Sequence, residues 1–350
     1  MENVLKPPKQ DLIFVLSIIT LTVLSTIVLR SIEPSIYPNY YIYLVLGFVI
    51  FYFFSRIDFI VISAFYKQLF YFSLFLLILP LLIGQVTRGA VRWIPIGSIT
   101  LQPSEIVRPL LLVFFAKYVT LKKPDHRKLL KSFGIFLIPF FLILVQPSLG
   151  IALITGIGFL GIILSADFPK KQLLILALVV LAVMPIGWTL LAPYQQLRVI
   201  TFLDPAKDPL GAGYNSIQSM ISVGAGGLTG RGLGKGIQTQ LHFLPEKHTD
   251  FIFAAVSEEM GFIGAIFLII FLFLVFWRMI SFLERAKDHA SRAYMSGFIL
   301  MLLAQSIIHI AMNMALLPIT GVPLPLVSAG GSSFLATMMG LGIAVGARKV

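Results

Sequence analysis

The densest group of ionisable side chains lies in the segment FLPEKHTDFIF (243–253), directly before a long apolar run. Asp250 would lie at the amino-terminal end of a helix, where burial raises the pKa of a carboxyl group and the helix dipole lowers it. A carboxylate held there can act as a general base toward a hydroxyl group. A helix cap, with Thr249 or Asp250 accepting free backbone N–H groups, is the competing interpretation. A cap leaves most of the neighbouring residues unexplained, and we count these as candidate substrate contacts: Glu246, Lys247, His248 and Thr249.

Two more carboxylates, Glu258 and Glu259, follow inside the apolar run. Acidic side chains at membrane depth are costly, and they usually face a protein interior, a wet cavity or a partner. Glu258 comes eight residues after Asp250, so a helix would place both on nearly the same face. The sequence leaves two roles open for the glutamates, a buried structural ion pair or a contact to a divalent cation or substrate.

The second concentration of polar residues is RGAVRWIPIGSITLQPSEIVRP (88–109). Arg92 and Trp93 fall in a loop and are candidate substrate contacts. Glu105, in the first turn of a predicted helix, and Arg108 lie one turn apart and can pair at i,i+3. We expect a structural ion pair there, and we also count Glu105 among the candidate substrate contacts.

The glycine-rich segment VGAGGLTGRGLGKG (223–236) resembles a phosphate-binding loop at first sight. It lacks the order G-x-x-x-x-G-K-[ST] and no strand precedes it, which excludes a nucleotide P-loop. Arg231 and Lys235 could still bring this backbone to a lipid phosphate, and a flexible turn is the alternative.

A proline-rich entry followed by glycines and serines marks GVPLPLVSAGGSS (321–333). Such a pattern is typical of a broken or closely packed membrane helix with exposed backbone groups. We include Ser328 and Ser332 among the candidate substrate contacts. The histidines show no spacing typical of a zinc site.

The composition identifies the kind of protein that must position these residues. Of the 350 residues, 58% are hydrophobic and 12% charged, and the mean hydropathy is +0.94. These values indicate an all-α polytopic membrane protein. The net charge of +12 is spread over short loops, so we interpret it as topology signals and contacts to anionic membrane lipids, with no nucleic acid as a partner. The absence of cysteine excludes disulfides and thiolate chemistry.

About ten apolar runs are long enough to cross a bilayer core of ~30 Å. Lys and Arg are enriched in alternate connections, which predicts that both termini are cytoplasmic. Two connections on the opposite side are basic against this bias, 85–104 and 192–250, which suggests an anionic ligand there. The predicted spans are 12–30, 40–56, 66–84, 104–120, 132–147, 149–166, 171–191, 251–275, 294–316 and 325–346.

The long connection 192–250 is predicted to be a folded cap over the outer mouth of a single membrane domain (1–350). Loops of this length are usually functional or disordered, and the many apolar residues here argue against disorder. Within it, 215–224 has the apolar spacing of an amphipathic helix lying at an interface. Arg198 in this loop is a further candidate substrate contact.

Together these segments resemble one family. RWIPIGSITLQPSE, RVITFLDPAKDPLGAGYNSIQSMISVGAGGLTGRGLGKG, FLPEKHTDFIFA, EEMGFIG and GVPLPLVSAGGSS occur in the order found in the SEDS family (shape, elongation, division and sporulation), and most closely in its elongation members. The resemblance covers nearly the whole chain. It implies a ten-helix peptidoglycan glycosyltransferase of the bacterial inner membrane, with its active site on the periplasmic face and a role in cell elongation and cell shape.

The resemblance also implies a mechanism. The essential aspartate of the family falls on Asp250, which would deprotonate the 4-hydroxyl of an incoming GlcNAc unit of lipid II. That oxygen would attack the lipid-linked glycan and expel undecaprenyl pyrophosphate. A divalent cation (Mg or Mn, ligands unassigned) and basic residues would stabilise the departing charge. A class B penicillin-binding protein, which supplies the transpeptidase, is the implied partner. The candidate basic residues are Arg198, Arg231, Lys235 and Lys247.

Three positions depart from the family pattern. Arg108 stands where Lys is common, which keeps the charge and changes the geometry of the pair. Ser148 replaces a usual Asp in the turn QPSLG, and so removes a carboxylate that could hold a metal. His309 stands where Asn is usual, four residues before Asn313.

Two other functions compete with polymerisation. A lipid II flippase or transporter should carry polar residues across the bilayer midplane and often has internal inverted repeats. The ionisable residues lie mainly in the predicted outer half and no repeat is visible, although Lys117 lies near the inner end of its helix. A purely structural scaffold for the penicillin-binding protein is the third hypothesis.

Overall fold

The computed structural model describes residues 11–83, 85–87, 90–97, 99–204, 207–208 and 211–348. Both termini, predicted to be cytoplasmic, and Arg88 of the basic outer segment lie outside these residues. The described residues form α1 (Leu12–Ile32), α2 (Asn39–Arg56), α3 (Phe59–Ala64), α4 (Tyr66–Ile83), α5 (Pro103–Thr120), α6 (His126–Val145), α7 (Leu149–Ser165), α8 (Lys170–Leu190), α9 (Pro193–Leu203), α10 (Ala212–Ala225), α11 (Ile237–Gln240), α12 (Ile252–Glu284), α13 (His289–Asn313) and α14 (Gly331–Gly346), with strands β1 (Gln85–Thr87), β2 (Ala90–Ile96) and β3 (Ile99–Leu101).

Each of the ten predicted spans contains a helix, although the helices differ in length. Within the described part of the chain, six helices are long and apolar enough to cross a membrane, namely α1, α2, α4, α6, α12 and α13, and α7 and α14 are shorter apolar helices. The predicted break between α6 and α7 is present, because α6 ends at Val145 and α7 begins at Leu149. The prediction of an all-α polytopic membrane protein is confirmed.

Several boundaries differ from the prediction. The last helix begins at Gly331, and 325–330, predicted to be helical, form turns. Helix α12 continues to Glu284, well beyond the predicted end. The outer segment before α5, predicted to be a loop, forms an antiparallel sheet in the order β1-β2-β3. Pairing between strands depends on contacts between different parts of the chain, and the residue spacing of this segment did not predict those contacts.

Close helix contacts occur where glycine removes a side chain. A Cβ on Gly161 of α7 would lie 2.9 Å from the Cα of Gly297 on α13, and one on Gly342 of α14 would lie 2.8 Å from the carbonyl oxygen of Phe51 on α2. Small residues at such crossings let helix backbones approach, which is the usual source of packing between membrane helices. These contacts join α7 closely to α13 and α2 closely to α14.

The connections that carry the candidate residues meet at one end of the bundle, which we call the loop-rich end. It comprises the described residues of 33–38, 85–101, 192–250 and 314–330. Glu33 lies 4.0 Å from Lys247, and the Ser332 hydroxyl accepts the N–H of Gln102 at 2.8 Å. These bonds join segments that are far apart in sequence into one surface.

The predicted amphipathic helix is observed as α10, and its polar side faces the protein. Ser219 is buried and donates a hydrogen bond to the carbonyl of Asn313 at 2.8 Å. Ile217, Met220 and Ile221 are exposed on the opposite side. This arrangement suits a helix whose apolar face meets a membrane interface.

Candidate active site

Asp250 lies half-buried directly before α12, in a tight turn of the chain. Three successive amides, those of Thr249, Asp250 and Phe251, donate to the carbonyl of Glu246 at 3.1, 3.0 and 3.3 Å. Glu246 itself has a positive φ of 49°, which L residues adopt with strain. The turn fixes the backbone amide of Asp250 relative to the preceding chain.

The segment 321–330 holds the same turn from the other side. The amide of Ala329 donates to the carbonyl of His248 at 2.9 Å. The hydroxyl of Ser328 donates to the carbonyl of Thr249 at 2.8 Å and accepts the amide of Leu324 at 2.7 Å. Ser328, a candidate substrate contact, is therefore buried within the support of Asp250.

A basic side chain and the Asp250 carboxylate meet at a glycine. A Cβ built on Gly321 would lie 3.6 Å from Oδ2 of Asp250 and 3.7 Å from Nη1 of Arg198, and the φ of Gly321 is +68°. Arg198 Nη1 also donates to the carbonyl of Ile319 at 3.2 Å. A side chain at position 321 would be strained because of the positive φ, so this position, which both charged groups border, favours glycine.

A small open cleft lies beside Arg198, and its volume of about 10 Å³ holds no more than one water molecule. The cleft is lined by Arg198, Thr201, Phe202, Ser216, Pro318 and Ile319.

Lys247 points away from solvent and has protein partners. Its side chain is 3% exposed, and its Nζ donates to the carbonyl of Thr239 at 2.6 Å and lies 3.1 Å from Nδ1 of His242. Burial lowers the pKa of Lys247, and the carboxylates of Glu33 and Glu259 oppose this shift. These contacts give Lys247 a structural role in joining the loop to the end of α1.

The other side chains of the 246–249 segment bind one another. Thr249 Oγ1 donates to Oε2 of Glu246 at 3.0 Å. His248 Nε2 lies 3.9 Å from the same Glu246 oxygen. These three residues remain half-buried at the surface beside Asp250, where a ligand of Asp250 would pass.

Glu258 and Glu259 bind the glycine-rich loop and α11. The two oxygens of Glu258 accept the amides of Gln238 and Thr239 at 2.8 and 3.0 Å. Oε1 of Glu259 accepts the Ser31 hydroxyl, the Gly234 amide and the Gln240 side chain at 2.8, 3.0 and 3.1 Å. Their main partners are amides and hydroxyls, so both glutamates serve to anchor the loop.

The glycine-rich loop completes a break in α12. Gly261 has φ 67° and ψ −164°, which interrupts the helix. The amides of Arg231 and Gly232 donate to the carbonyls of Glu258 and Glu259, and the amides of Phe262 and Ile263 donate to carbonyls of the loop. Because the loop amides are used in this way, a phosphate would be met by the exposed side chains of Arg231 and Lys235.

Glu105 and Arg108 form a buried ion pair, as the i,i+3 spacing predicts. Arg108 Nη1 also donates to Oε1 of Gln305 on α13 at 2.8 Å. Arg92 Nη1 reaches Oγ of Ser148 at 3.5 Å and attracts the Glu105 carboxylate. Most of these side chains are buried, and their contacts link β2, α5, α7 and α13.

Trp93 and Ser332 lie in the same part of the loop-rich end. Trp93 is half-buried on β2, and its indole N–H is buried without a hydrogen-bond partner among the described residues. Ser332 is buried at the start of α14 and joins it to the chain around β3. Ser332 thus has a structural partner, and Trp93 retains a free donor.

Three polar residues on α13 support the site, although their types and positions in the sequence did not indicate a role. Gln305 Nε2 donates to the carbonyl of Pro323 at 2.7 Å, and the Nδ1–H of His309 donates to the carbonyl of Val322 at 2.8 Å. Asn313 Nδ2 donates to the carbonyl of Asp250 at 2.9 Å. The sequence signal for this group was the spacing of four residues between polar side chains in an apolar helix, because residues so spaced share one face.

Few side chains at the site could act as ligands of a divalent cation. The described residues contain no group of three or more His, Cys, Asp or Glu side chains that could hold a metal ion. Ser148 is buried and contributes a hydroxyl in place of a carboxylate. Mg²⁺ is commonly bound by one or two carboxylates together with substrate phosphates. Asp250 fits that mode, and a resident site made of protein ligands alone does not fit.

The chain was compared with known proteins. The family FtsW, RodA and SpoVE, described as cell cycle protein, matches residues 10–349. Peptidoglycan glycosyltransferase MrdB of Escherichia coli (strain K12) is 38% identical over 265 residues, which cover 74% of this chain and 71% of MrdB. Stage V sporulation protein E of Bacillus subtilis (strain 168) is 34% identical over 304 residues, which cover 85% and 82%.

Solved structures share the fold. One is a chain of a peptidoglycan synthase complex that coordinates polymerization and crosslinking, with a TM-score of 0.83, 29% identity, and coverage of 96% of this chain and 97% of that one. Rod shape determining protein RodA of Thermus thermophilus gives a TM-score of 0.72 at 25% identity, with coverage of 97% and 96%. With the family match over nearly all of its length, the chain belongs to the FtsW/RodA/SpoVE family, the SEDS proteins.

Proposed function

We propose that this protein polymerises lipid II into glycan strands, with Asp250 as the general base. The names of its curated relatives confirm the predicted enzyme class, peptidoglycan glycosyltransferase. The observation that carries the role of Asp250 is that its carboxylate and the guanidinium of Arg198 both border Gly321 at the loop-rich end. A base and a cation placed together suit a reaction that removes a proton and releases an anion.

The reaction follows from this pairing. Asp250 takes the proton of the 4-hydroxyl of the acceptor GlcNAc, and the oxygen attacks the anomeric carbon of the lipid-linked chain. The bond from that carbon to the pyrophosphate oxygen breaks, and undecaprenyl pyrophosphate leaves with the bonding electrons. Arg198 stabilises the departing charge, and the proton passes from Asp250 to water. A pyrophosphate needs no acid to protonate it, in contrast to the leaving group of a glycosidase.

A divalent cation, Mg or Mn, is part of the proposal. Asp250 and the pyrophosphate oxygens would hold it, and it would neutralise charge on the leaving group. Arg231 and Lys235 are exposed on the glycine-rich loop and are proposed to contact phosphate groups through their side chains.

The proposal also includes the membrane location and the protein partner of this chain. The chain is a multi-pass membrane protein, and we place its loop-rich end on the periplasmic face of the bacterial inner membrane. The related synthase complex combines polymerization and crosslinking. A class B penicillin-binding protein is accordingly the proposed partner of this chain.

The test is a polymerisation assay with purified protein and labelled lipid II, with Mg²⁺ or with chelator. Asp250→Asn should lower the rate of glycan synthesis by at least about 100-fold, because general-base catalysis is worth roughly 10²–10⁴. Asp167→Asn is the matched control, since Asp167 is exposed in the connection between α7 and α8 and its φ of 54° also suits Asn.

Equal glycan ladders from wild type and Asp250→Asn would refute the role of Asp250. Full activity in chelator would remove the cation from the proposal. Translocation of lipid II in proteoliposomes that depends on Asp250, without any polymer, would point to a flippase.

A further inference from the structure

We propose that Asn313 is a positioning residue for Asp250, and that it acts by fixing the peptide on the carboxyl side of Asp250. The proposal rests on the function proposed for Asp250. Asn313 is the last residue of α13 and is fully buried. It is far from Asp250 in sequence, and it contacts the base through main-chain atoms.

The side chain of Asn313 uses both of its ends. Nδ2 donates to the carbonyl of Asp250 at 2.9 Å and to the carbonyl of His309 at 2.8 Å. Oδ1 accepts the amide of Ala254 at 3.0 Å. One amide side chain therefore spans the start of α12, from the residue that carries the carboxylate to the first turn of the helix.

This contact replaces a local cap. The N-cap position of α12 is Phe251, which offers no side-chain acceptor to the free amides of the first turn. Asn313 supplies the acceptor for Ala254 from another helix. Since the amide of Asp250 is bonded to Glu246 and its carbonyl to Asn313, the backbone on both sides of its Cα is held.

The same face of α13 fixes the other side of the site. His309 and Gln305, one and two turns before Asn313, bind the carbonyls of Val322 and Pro323. Those residues follow Gly321, the point where the Asp250 carboxylate and Arg198 meet. A single rigid helix thus sets the distance between Asp250 and Gly321, and a misplacement of about 1 Å at a reacting group can lower a rate by ~100-fold.

Two substitutions separate positioning from capping. Asn313→Asp keeps an acceptor for the Ala254 amide near the positive end of the α12 dipole, and loses the donor to the Asp250 carbonyl. Asn313→Ala loses both. Positioning predicts that both variants lower kcat for lipid II polymerisation about 10- to 100-fold and leave KM within about twofold. If Asn313 serves only as a cap, Asn313→Asp should have both the melting temperature and the kcat of the wild type.

The experiment measures kcat, KM and the melting temperature for both variants in detergent with Mg²⁺. Ser306→Ala is the control, because within the described part of the chain this buried α13 hydroxyl bonds only the carbonyl of Leu302 in its own helix. We expect wild-type kinetics from it. If Asn313→Ala does not fold, Asn313→Asp decides the question.

A wild-type kcat in folded Asn313→Asp would overturn the positioning role, and so would a rise in KM with unchanged kcat. Either result leaves Asp250 as the base if Asp250→Asn is inactive in the same assay. Activity of Asp250→Asn would instead refute the proposed function itself.

Discussion

Asp250 and Lys247 lie three residues apart in one turn and have different environments. Asp250 is half-buried, and its carboxylate borders Gly321. The ammonium group of Lys247 is enclosed between Thr239, His242 and Glu33. A buried charge needs partners of this kind, because the loss of hydration is otherwise uncompensated.

The burial of Lys247 predicts a dependence of stability on pH. Because burial lowers its pKa below 10.5 in the folded protein, the unfolded chain binds more protons between the lowered value and pH 10.5. Stability from this group therefore rises with pH over that interval. In Lys247→Met this rise is absent, so the difference in melting temperature, wild type minus variant, should increase from pH 7.5 to 10.5. Parallel melting curves across this range would show that Lys247 has no lowered pKa.

The Arg at position 108 also has a physical explanation at this scale. Its guanidinium donates Nη2 to Glu105 and Nη1 to Gln305, so one side chain binds two helices at once. A lysine ammonium is a single point charge and does not reproduce this planar pair of donors. Gln305 in turn binds Pro323, so the departure from the family pattern connects the ion pair to the support of the site.

At the scale of elements, the break in α12 sets the shape of the loop-rich end. The part of the helix after the break, 262–284, is about 35 Å long at 1.5 Å per residue, close to the ~30 Å that a bilayer core requires. The break at Gly261 lies near the end of α1, because Glu259, two residues before it, binds Ser31 in the last turn of α1. Glu258 and Glu259, expected at membrane depth, thus lie level with the end of a spanning helix.

The pairing between the loop and the break predicts the effect of a glycine substitution. Gly230 has a φ of +80°, and a Cβ there would lie 2.2 Å from the carbonyl oxygen of Glu259. Gly230→Ala should lower the free energy of unfolding by about 1–3 kcal/mol through backbone strain, with further loss from the clash. Thermal unfolding in detergent measures this change.

Gly224→Ala is the matched control for that measurement. Gly224 lies within α10, and a Cβ there would meet nothing within 4 Å. Alanine in a helix is favoured over glycine by about 0.5–1 kcal/mol, so this variant should be as stable as wild type or slightly more stable. Equal melting temperatures for both variants would contradict the described pairing of the loop with α12.

At the scale of the whole molecule, ion pairs join elements at both ends of the bundle. At the end opposite the site, Arg278 pairs with Asp11 and Lys287 pairs with Asp58. These bonds join α12 and the connection after it to the first and third helices. At the loop-rich end Lys247 lies 4.0 Å from Glu33, and Arg231 and Lys235 are exposed.

The absence of cysteine allows the orientation of the molecule to be measured directly. Arg231→Cys at the loop-rich end and Lys123→Cys in the connection between α5 and α6 both place a thiol at an exposed position. With the outer membrane made permeable, an impermeant maleimide should label the first in intact spheroplasts and the second only after lysis. Labelling of Lys123→Cys in intact spheroplasts would reverse the proposed orientation.

The ten helical segments and the amphipathic helix were accessible from the sequence, because each depends on local composition or spacing. The role of Asp250 was not, since the residues alone left a general base and a helix cap open and the family resemblance favoured the base. Apolar runs long enough for a bilayer must form helices, since no other backbone arrangement within one segment satisfies its own hydrogen bonds. The ion pair of Glu105 and Arg108 was accessible for the same reason, being set by one turn of one helix.

Only the tertiary structure decided which candidates face the site and which support it. Lys247, which is close to Asp250 in sequence, and Ser328 and Ser332 of the 321–333 segment were predicted to contact substrate, and all three are buried against protein partners. Asn313 was left without a role, because a hydrogen bond across 63 residues has no local pattern. Such contacts depend on how α12, α13 and the 321–330 segment pack. Packing depends on the surfaces of both elements, and residue spacing along one helix does not encode it.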